Sequence, residues 1–209
     1  MHGYQRPLIA FREYRDDDGQ VIEYGHQWSD HPSAESHERV HDPDRFEPLR
    51  LVANALIDWM LRTYDAALIR TVVTDPSAPR VLDVVPRDPT AAPLSFSLIE
   101  PSGVLITAGV LHEFRFPDCR CDACDEDIHD LAEDMEWIVK AVVDGGYSEH
   151  IDDSPSPHAE YRLHATGAQR TASARGPVRT PDRDRLAQAR AALPPGGVWA
   201  AWPRRTDAA

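Results

Sequence analysis

Apolar residues recur at spacings of three and four from residue 46 to residue 68, where Leu49, Val52, Ala53, Leu56, Met60 and Tyr64 form one stripe. This is the period of a helix with a buried face. Leu51, Ile57, Leu61 and Leu68 widen the stripe until most of that helix is covered, and Pro48 falls in its first turn, where a missing N–H costs little. A second stripe, Ile128, Leu131, Met135, Ile138 and Val142, predicts a helix over residues 126–143. Asp125, Glu126 and Asp127 sit at its electropositive start, and Gly145-Gly146 ends it. Between the two helices the period changes to two. Residues 80–86 are short and apolar, 94–98 alternate strictly, and 104–110 alternate again after the turn Pro101-Ser102-Gly103. Alternation of this kind marks half-buried strands, and the short turn predicts an antiparallel pair. The last strand is expected to run on through His112 toward the cysteines.

The flanks carry weaker signals. Residues 8–14 and 20–28 read as a hairpin around Asp16-Asp17-Asp18-Gly19, followed by a polar loop over 29–45. Asp75-Pro76-Ser77-Ala78-Pro79 breaks the first helix. Residues 159–164 read as a last strand, 166–183 as a linker rich in Ala, Gly, Ser, Thr and Arg, and 184–193 as a short helix. Trp199 and Trp202 bury too much apolar surface to be left in water and are expected to dock on the body. Runs of strands separated by helices predict an α+β fold, a largely antiparallel sheet with two main helices packed on it and an extended C-terminal tail. The 209 residues then divide into a single domain, 1–165, and an Arg-rich linker with a docking tail, 166–209.

Charge narrows the function classes. The net charge is −13, yet residues 160–209 hold nine Arg against four Asp and Glu, a local +5 that leaves −18 on the rest. An acidic body repels phosphates, so nucleic acid is not an expected partner, whereas a protein partner is. No apolar run reaches the roughly 18–20 residues of a membrane span, and the start, Met1-His2-Gly3-Tyr4-Gln5-Arg6-Pro7, lacks the pattern of a signal peptide. Three cysteines, an odd number, do not make a disulfide framework. A reducing cytoplasm is the expected compartment.

All three cysteines fall in one stretch, Phe116-Pro117-Asp118-Cys119-Arg120-Cys121-Asp122-Ala123-Cys124-Asp125-Glu126. Structural zinc takes four Cys or His ligands in a tetrahedron. Cys119, Cys121 and Cys124 supply three, and His112, just past the strand, is the expected fourth; His129 on the helix is its rival. Two other readings stand beside zinc. Cys121-x-x-Cys124 at a helix start has the spacing of a dithiol redox site, but the carboxylates of Asp118, Asp122, Asp125 and Glu126 would oppose the thiolate, with only Arg120 against them. The third reading is a tight turn with inert thiols. A zinc deaminase needs His-x-Glu and Pro-Cys-x-x-Cys; here His112 and Glu113 are adjacent and Pro117 does not precede Cys121. His26, His31, His37 and His41 share no helix face and read as loop residues. No nucleophile is assembled with a base, and no phosphate-cradling glycine loop is present in the sequence.

Four segments carry a resemblance. They are Arg39-Val40-His41-Asp42-Pro43-Asp44-Arg45-Phe46-Glu47-Pro48-Leu49, Gly109-Val110-Leu111-His112-Glu113-Phe114, the cysteine stretch, and Trp199-Ala200-Ala201-Trp202-Pro203-Arg204-Arg205. Together they resemble an actinobacterial family of unknown function. The resemblance implies a cytoplasmic bacterial protein and no particular activity. Members of that family carry Gly between the first two cysteines, where this chain has Arg120; if that Gly served a left-handed turn, Arg120 would be strained. The reading that follows is a non-catalytic protein in which the Cys turn holds structural zinc and the acidic surface meets a protein partner. The alternative is a metal-dependent enzyme with a Cys-ligated ion and Glu113 or Glu126 as general base.

Overall fold

The computed structural model describes residues 3–70, 79–165, 170–178 and 183–206. The N-terminal segment carries a small hairpin of β1 (Tyr14–Arg15) and β2 (Val21–Ile22), its turn held by Asp16, whose Oδ1 accepts the N–H groups of Asp18 and Gln20. Its strands are much shorter than the alternation suggested. A 3-10 turn over Pro43–Phe46 leads into α1 (Pro48–Thr63), which buries Leu49, Val52, Ala53, Leu56, Ile57, Trp59 and Met60. The helix is shorter than its apolar stripe. At Tyr64 the backbone turns extended (φ −116°, ψ 155°), and Ala66–Arg70 becomes β3. A short apolar run fits a helix end and a buried strand equally well, so periodicity alone could not place this boundary.

Strand β3 opens a five-stranded antiparallel meander with β4 (Arg80–Pro86), β5 (Leu94–Ile99), β6 (Gly103–Ala108) and β7 (His112–Phe116). The register puts Leu68, Val84, Leu94, Ala108 and His112 on one rung. Leu82, Phe96, Ile106 and Phe114 share the next. Residues directly opposite point to one face of the sheet. That face meets α1, and Val84, Leu94, Phe96, Ile106 and Ala108 are fully buried against it. The chain does not run straight through His112 as expected. Gly109 (φ 62°) reverses it, and a Cβ there would lie 2.1 Å from Glu149 Oε2, so the turn requires glycine.

Helix α2 (Ile128–Val143) packs against α1, its N-terminus capped by Asp127, which accepts the N–H groups of His129 and Asp130. A second antiparallel sheet follows, ordered β10 (Thr171–Pro177), β9 (His158–His164), β8 (Tyr147–Ile151). The alternation gave no reading of β8. The segment expected as a linker contributes β10; its residues 166–169 and 179–182 lie outside the described residues, as does the break at 75–78. A third helix, α3 (Arg183–Ala192), precedes the tail. Helices and antiparallel sheets make the chain α+β.

The tail docks through its two tryptophans, each 3% exposed. Trp202 donates its indole N–H to Ala92 O (2.9 Å) and meets the Tyr64 ring edge-on. Trp199 donates to Glu149 Oε2 (3.1 Å). Glu149 also accepts the N–H groups of Val110 (3.0 Å) and Leu111 (3.2 Å), so one buried carboxylate joins β8, the β6–β7 turn and the tail. Burial raises its pKa despite those bonds. Among the described residues no helix is long and apolar enough to cross a membrane.

Candidate functional site

The cysteine stretch leaves β7 at the end of the sheet where β5 turns into β6. Arg120 reaches back to that turn, its Nη1 lying 3.4 Å from Glu100 O. Cys121 is extended (φ −66°, ψ 154°) and Asp122–Cys124 form one 3-10 turn, closed by Cys124 N donating to Cys121 O (3.3 Å). The left-handed position after the turn is Asp125 (φ 48°), the single non-glycine residue with positive φ among those described. Arg120 is therefore unstrained, contrary to what the missing glycine suggested.

The turn brings the sulfurs together. Cys119 Sγ lies 3.2 Å from Cys121 Sγ, and Cys121 Sγ lies 3.4 Å from Cys124 Sγ. All three fall within 4.8 Å of one another. Cys121 is buried, Cys119 half-buried and Cys124 exposed, so the tripod opens outward. Thiolates around zinc at about 2.3 Å stand roughly 3.8 Å apart, so the Cys119–Cys121 and Cys121–Cys124 pairs need to separate by only about half an ångström. Burial raises the Cys121 thiol, but hydrogen bonds from Cys119, Cys124 and the N–H groups of Cys124 and Ala123 outweigh it and bring its pKa below the usual value. Cys124 is pushed up to about 12, because Cys121 holds its proton and burial adds to the effect. A soft cation would take the place of those shared protons, and thiolate donors suit zinc and other soft metals.

Of the acidic residues beside the cysteines, Asp122, Asp125 and Glu126 are committed to backbone or side-chain partners. Asp122, 2% exposed, accepts Arg39 Nε (2.9 Å) and His41 N (3.1 Å), and pairs with His41 Nδ1 (2.7 Å). Its own N–H donates to Arg39 O, and its carbonyl accepts the indole N–H of Trp28. Burial alone would raise the Asp122 pKa, but these donors hold it below the usual range. Asp125 accepts Gly25 N, Gln27 N and Gln27 Nε2, all within 2.8 Å. Glu126, half-buried, turns back to accept Cys119 N (3.3 Å). The turn is thus clipped to residues 25–41 by two carboxylates. No local pattern could have found Trp28, Arg39 or His41, which lie about 80 to 95 residues away in sequence. His41 in particular is not a free loop residue.

The expected fourth ligand is elsewhere. His112 starts β7, opposite Ala108, whereas the cysteines follow the far end of that strand. Its ring lies 3.7 Å from the Tyr161 ring and 4.7 Å from that of Phe114. The return that would carry His112 to Cys119 does not form, because β7 is extended and pairs with β6 along its length. His129 is not part of the sulfur cluster either. Glu113 is exposed on β7 and pairs with Arg115 (3.2 Å), away from the sulfurs; of the two carboxylates considered as bases, only Glu126 adjoins them.

No curated protein and no solved structure matches the chain. A family model matches residues 10–206, which include the Cys turn, the segments clipped to it and the docking tryptophans, and the chain therefore belongs to that family of unknown function, DUF6226.

Proposed function

We propose that Cys119, Cys121 and Cys124 hold one zinc ion with a structural role, and that the ion braces the turn to which residues 25–41 are clipped, in a non-catalytic protein. The observation that carries this reading is the convergence of three sulfurs on a turn whose backbone is already fixed by Asp122, Asp125 and Glu126. A site organised before the metal arrives loses little entropy on binding it. The net charge of −13 supports a basic partner surface. The test is metal analysis of untagged protein purified without a metal column. About one zinc per chain is expected, with Cys121→Ser abolishing it and His112→Ala leaving it intact. Protein that takes up no metal from equimolar zinc would overturn the reading.

Exposure of Cys124 favours a second reading, in which the fourth position faces water and the ion is catalytic. Cobalt-substituted protein separates the two. Absorption bands that shift on adding imidazole mark an open position, and bands that stay fixed mark a closed structural site.

A further inference from the structure

A cavity of about 790 Å³ lies between the N-terminal strap and the first turns of α1 and α2. Its walls include Leu8, Ile9, Phe11, Val21 and Leu51. Phe11 and Leu8 are 90% and 88% exposed, so large apolar side chains stand uncovered at this site. Its charged lining is mixed, with Glu13, Glu23, Glu47, Glu126 and Asp127 beside Arg12, Arg45 and Arg50, and of these only Arg45 is buried. Arg45 is 3% exposed, and its Nε, Nη1 and Nη2 have no hydrogen-bond partner among the described residues. The guanidinium lies over the rings of Tyr24 (3.9 Å) and Phe46 (4.2 Å), which stabilise the cation through their faces but accept none of its in-plane N–H groups. No lining carboxylate hydrogen-bonds Arg45 among the described residues, and the nearby Glu126 feels its charge only through space. Asp42 accepts the Tyr24 hydroxyl (3.0 Å), and Glu126 accepts Cys119 N. Helix α1, which begins at this cavity, has no side-chain cap, so its positive end adds to the same field.

We propose that this cavity binds a small hydrophobic carboxylate. The carboxylate takes the free fork of Arg45 in a bidentate pair, and the apolar body covers Leu8, Phe11 and Leu51. The cavity volume lies within the usual range for small-molecule sites, and a buried, pre-oriented guanidinium matches a carboxylate in shape as well as charge. This inference does not rest on the metal reading.

Isothermal titration calorimetry with decanoate tests it. One saturable site is expected on the wild-type chain. Arg45→Met keeps the side-chain bulk without the charge and should weaken binding by about tenfold or more, the worth of a charge-assisted pair. Decanol, which lacks the anion, should bind weaker than decanoate by a similar factor. Phe11→Asp alters an exposed residue without a role in folding, and should also weaken decanoate, so the proposal stays testable even if Arg45→Met fails to fold by circular dichroism. No saturable heat from decanoate overturns the proposal, as does equal affinity for decanoate and decanol. Phe11-dependent co-sedimentation with phosphatidylcholine vesicles, with no binding of monomeric decanoate, overturns it in favour of a membrane surface.

Discussion

Asp122 and Arg45 are buried to nearly the same depth, 2% and 3% exposed, and their surroundings are opposite. Around Asp122, Arg39 and His41 supply three donors to the carboxylate, and the peptide groups of the same residue are bonded as well. Around Arg45 two aromatic faces supply attraction, and three nitrogens are left without acceptors. Burying a charge is costly unless its hydrogen bonds are made. A satisfied buried charge joins segments distant in sequence and contributes to stability. An unsatisfied one beside a cavity lowers stability until something else satisfies it. The contrast separates the part of the molecule that holds the fold from the part organised to receive a ligand.

The largest effects should fall on the satisfied side. Trp202→Ala removes a ring buried against Tyr64 and the bond to Ala92 O. It should cost about 3–5 kcal/mol, close to ten degrees or more in melting temperature for a chain of this size. Melting followed by circular dichroism checks it; an unchanged curve would show that the tail is not part of the stable body. Asp122→Ala should cost less, about 2–3 kcal/mol, because Arg39 is half exposed and regains water. It should also loosen the loop that the turn holds, seen as faster amide exchange at His41, whose N–H donates to Asp122. If Asp122→Ala melts like the wild type, the clip is not what stabilises this region and the comparison with Arg45 fails.

The parts of the fold legible in sequence are those with a strong local period. Helix α2 starts and ends within two residues of its apolar stripe, because it buries one face from Leu131 to Val142, and β4 matches its apolar run, which is buried at Val84 and Pro86. Strand β3 was hidden because Ala66-Ala67-Leu68-Ile69 extends the helical stripe of α1, and the chain leaves the helix where Thr63, Tyr64 and Asp65 bond to the tail at Pro203, Arg204 and Arg205. Strand β10 was hidden by composition: Thr171-Ala172-Ser173-Ala174-Arg175 is mostly exposed and is held by pairing with β9. The sulfur tripod was legible because its ligands fall within six residues, from 119 to 124. The clip around it and the cavity at Arg45 depend on contacts between residues 8–50 and residues 122–129. Local spacing carries no record of such contacts.

His112 sharpens the comparison with the smallest effect. Like Arg45 it is an ionisable group packed against aromatic rings, here those of Tyr161 and Phe114. Burial lowers its pKa from 6.5 to about 4. The folded state thus favours the neutral ring. The stabilisation this brings is fully present above pH 6.5 and is lost as the pH falls toward about 4, where the folded protein must also take up the proton. His112→Phe keeps the ring contacts without the titration. Its melting temperature should match that of the wild type near neutral pH to within a few degrees, and the Phe variant should become the more stable one as the solution is acidified. Parallel curves would show that the His112 site does not disfavour the charged ring, and loss of zinc from the variant would return His112 to the metal site. The difference from Arg45 is then chemical. A buried histidine avoids the cost of an unpaired charge by releasing its proton, whereas a guanidinium keeps its charge at every physiological pH and needs an anion instead.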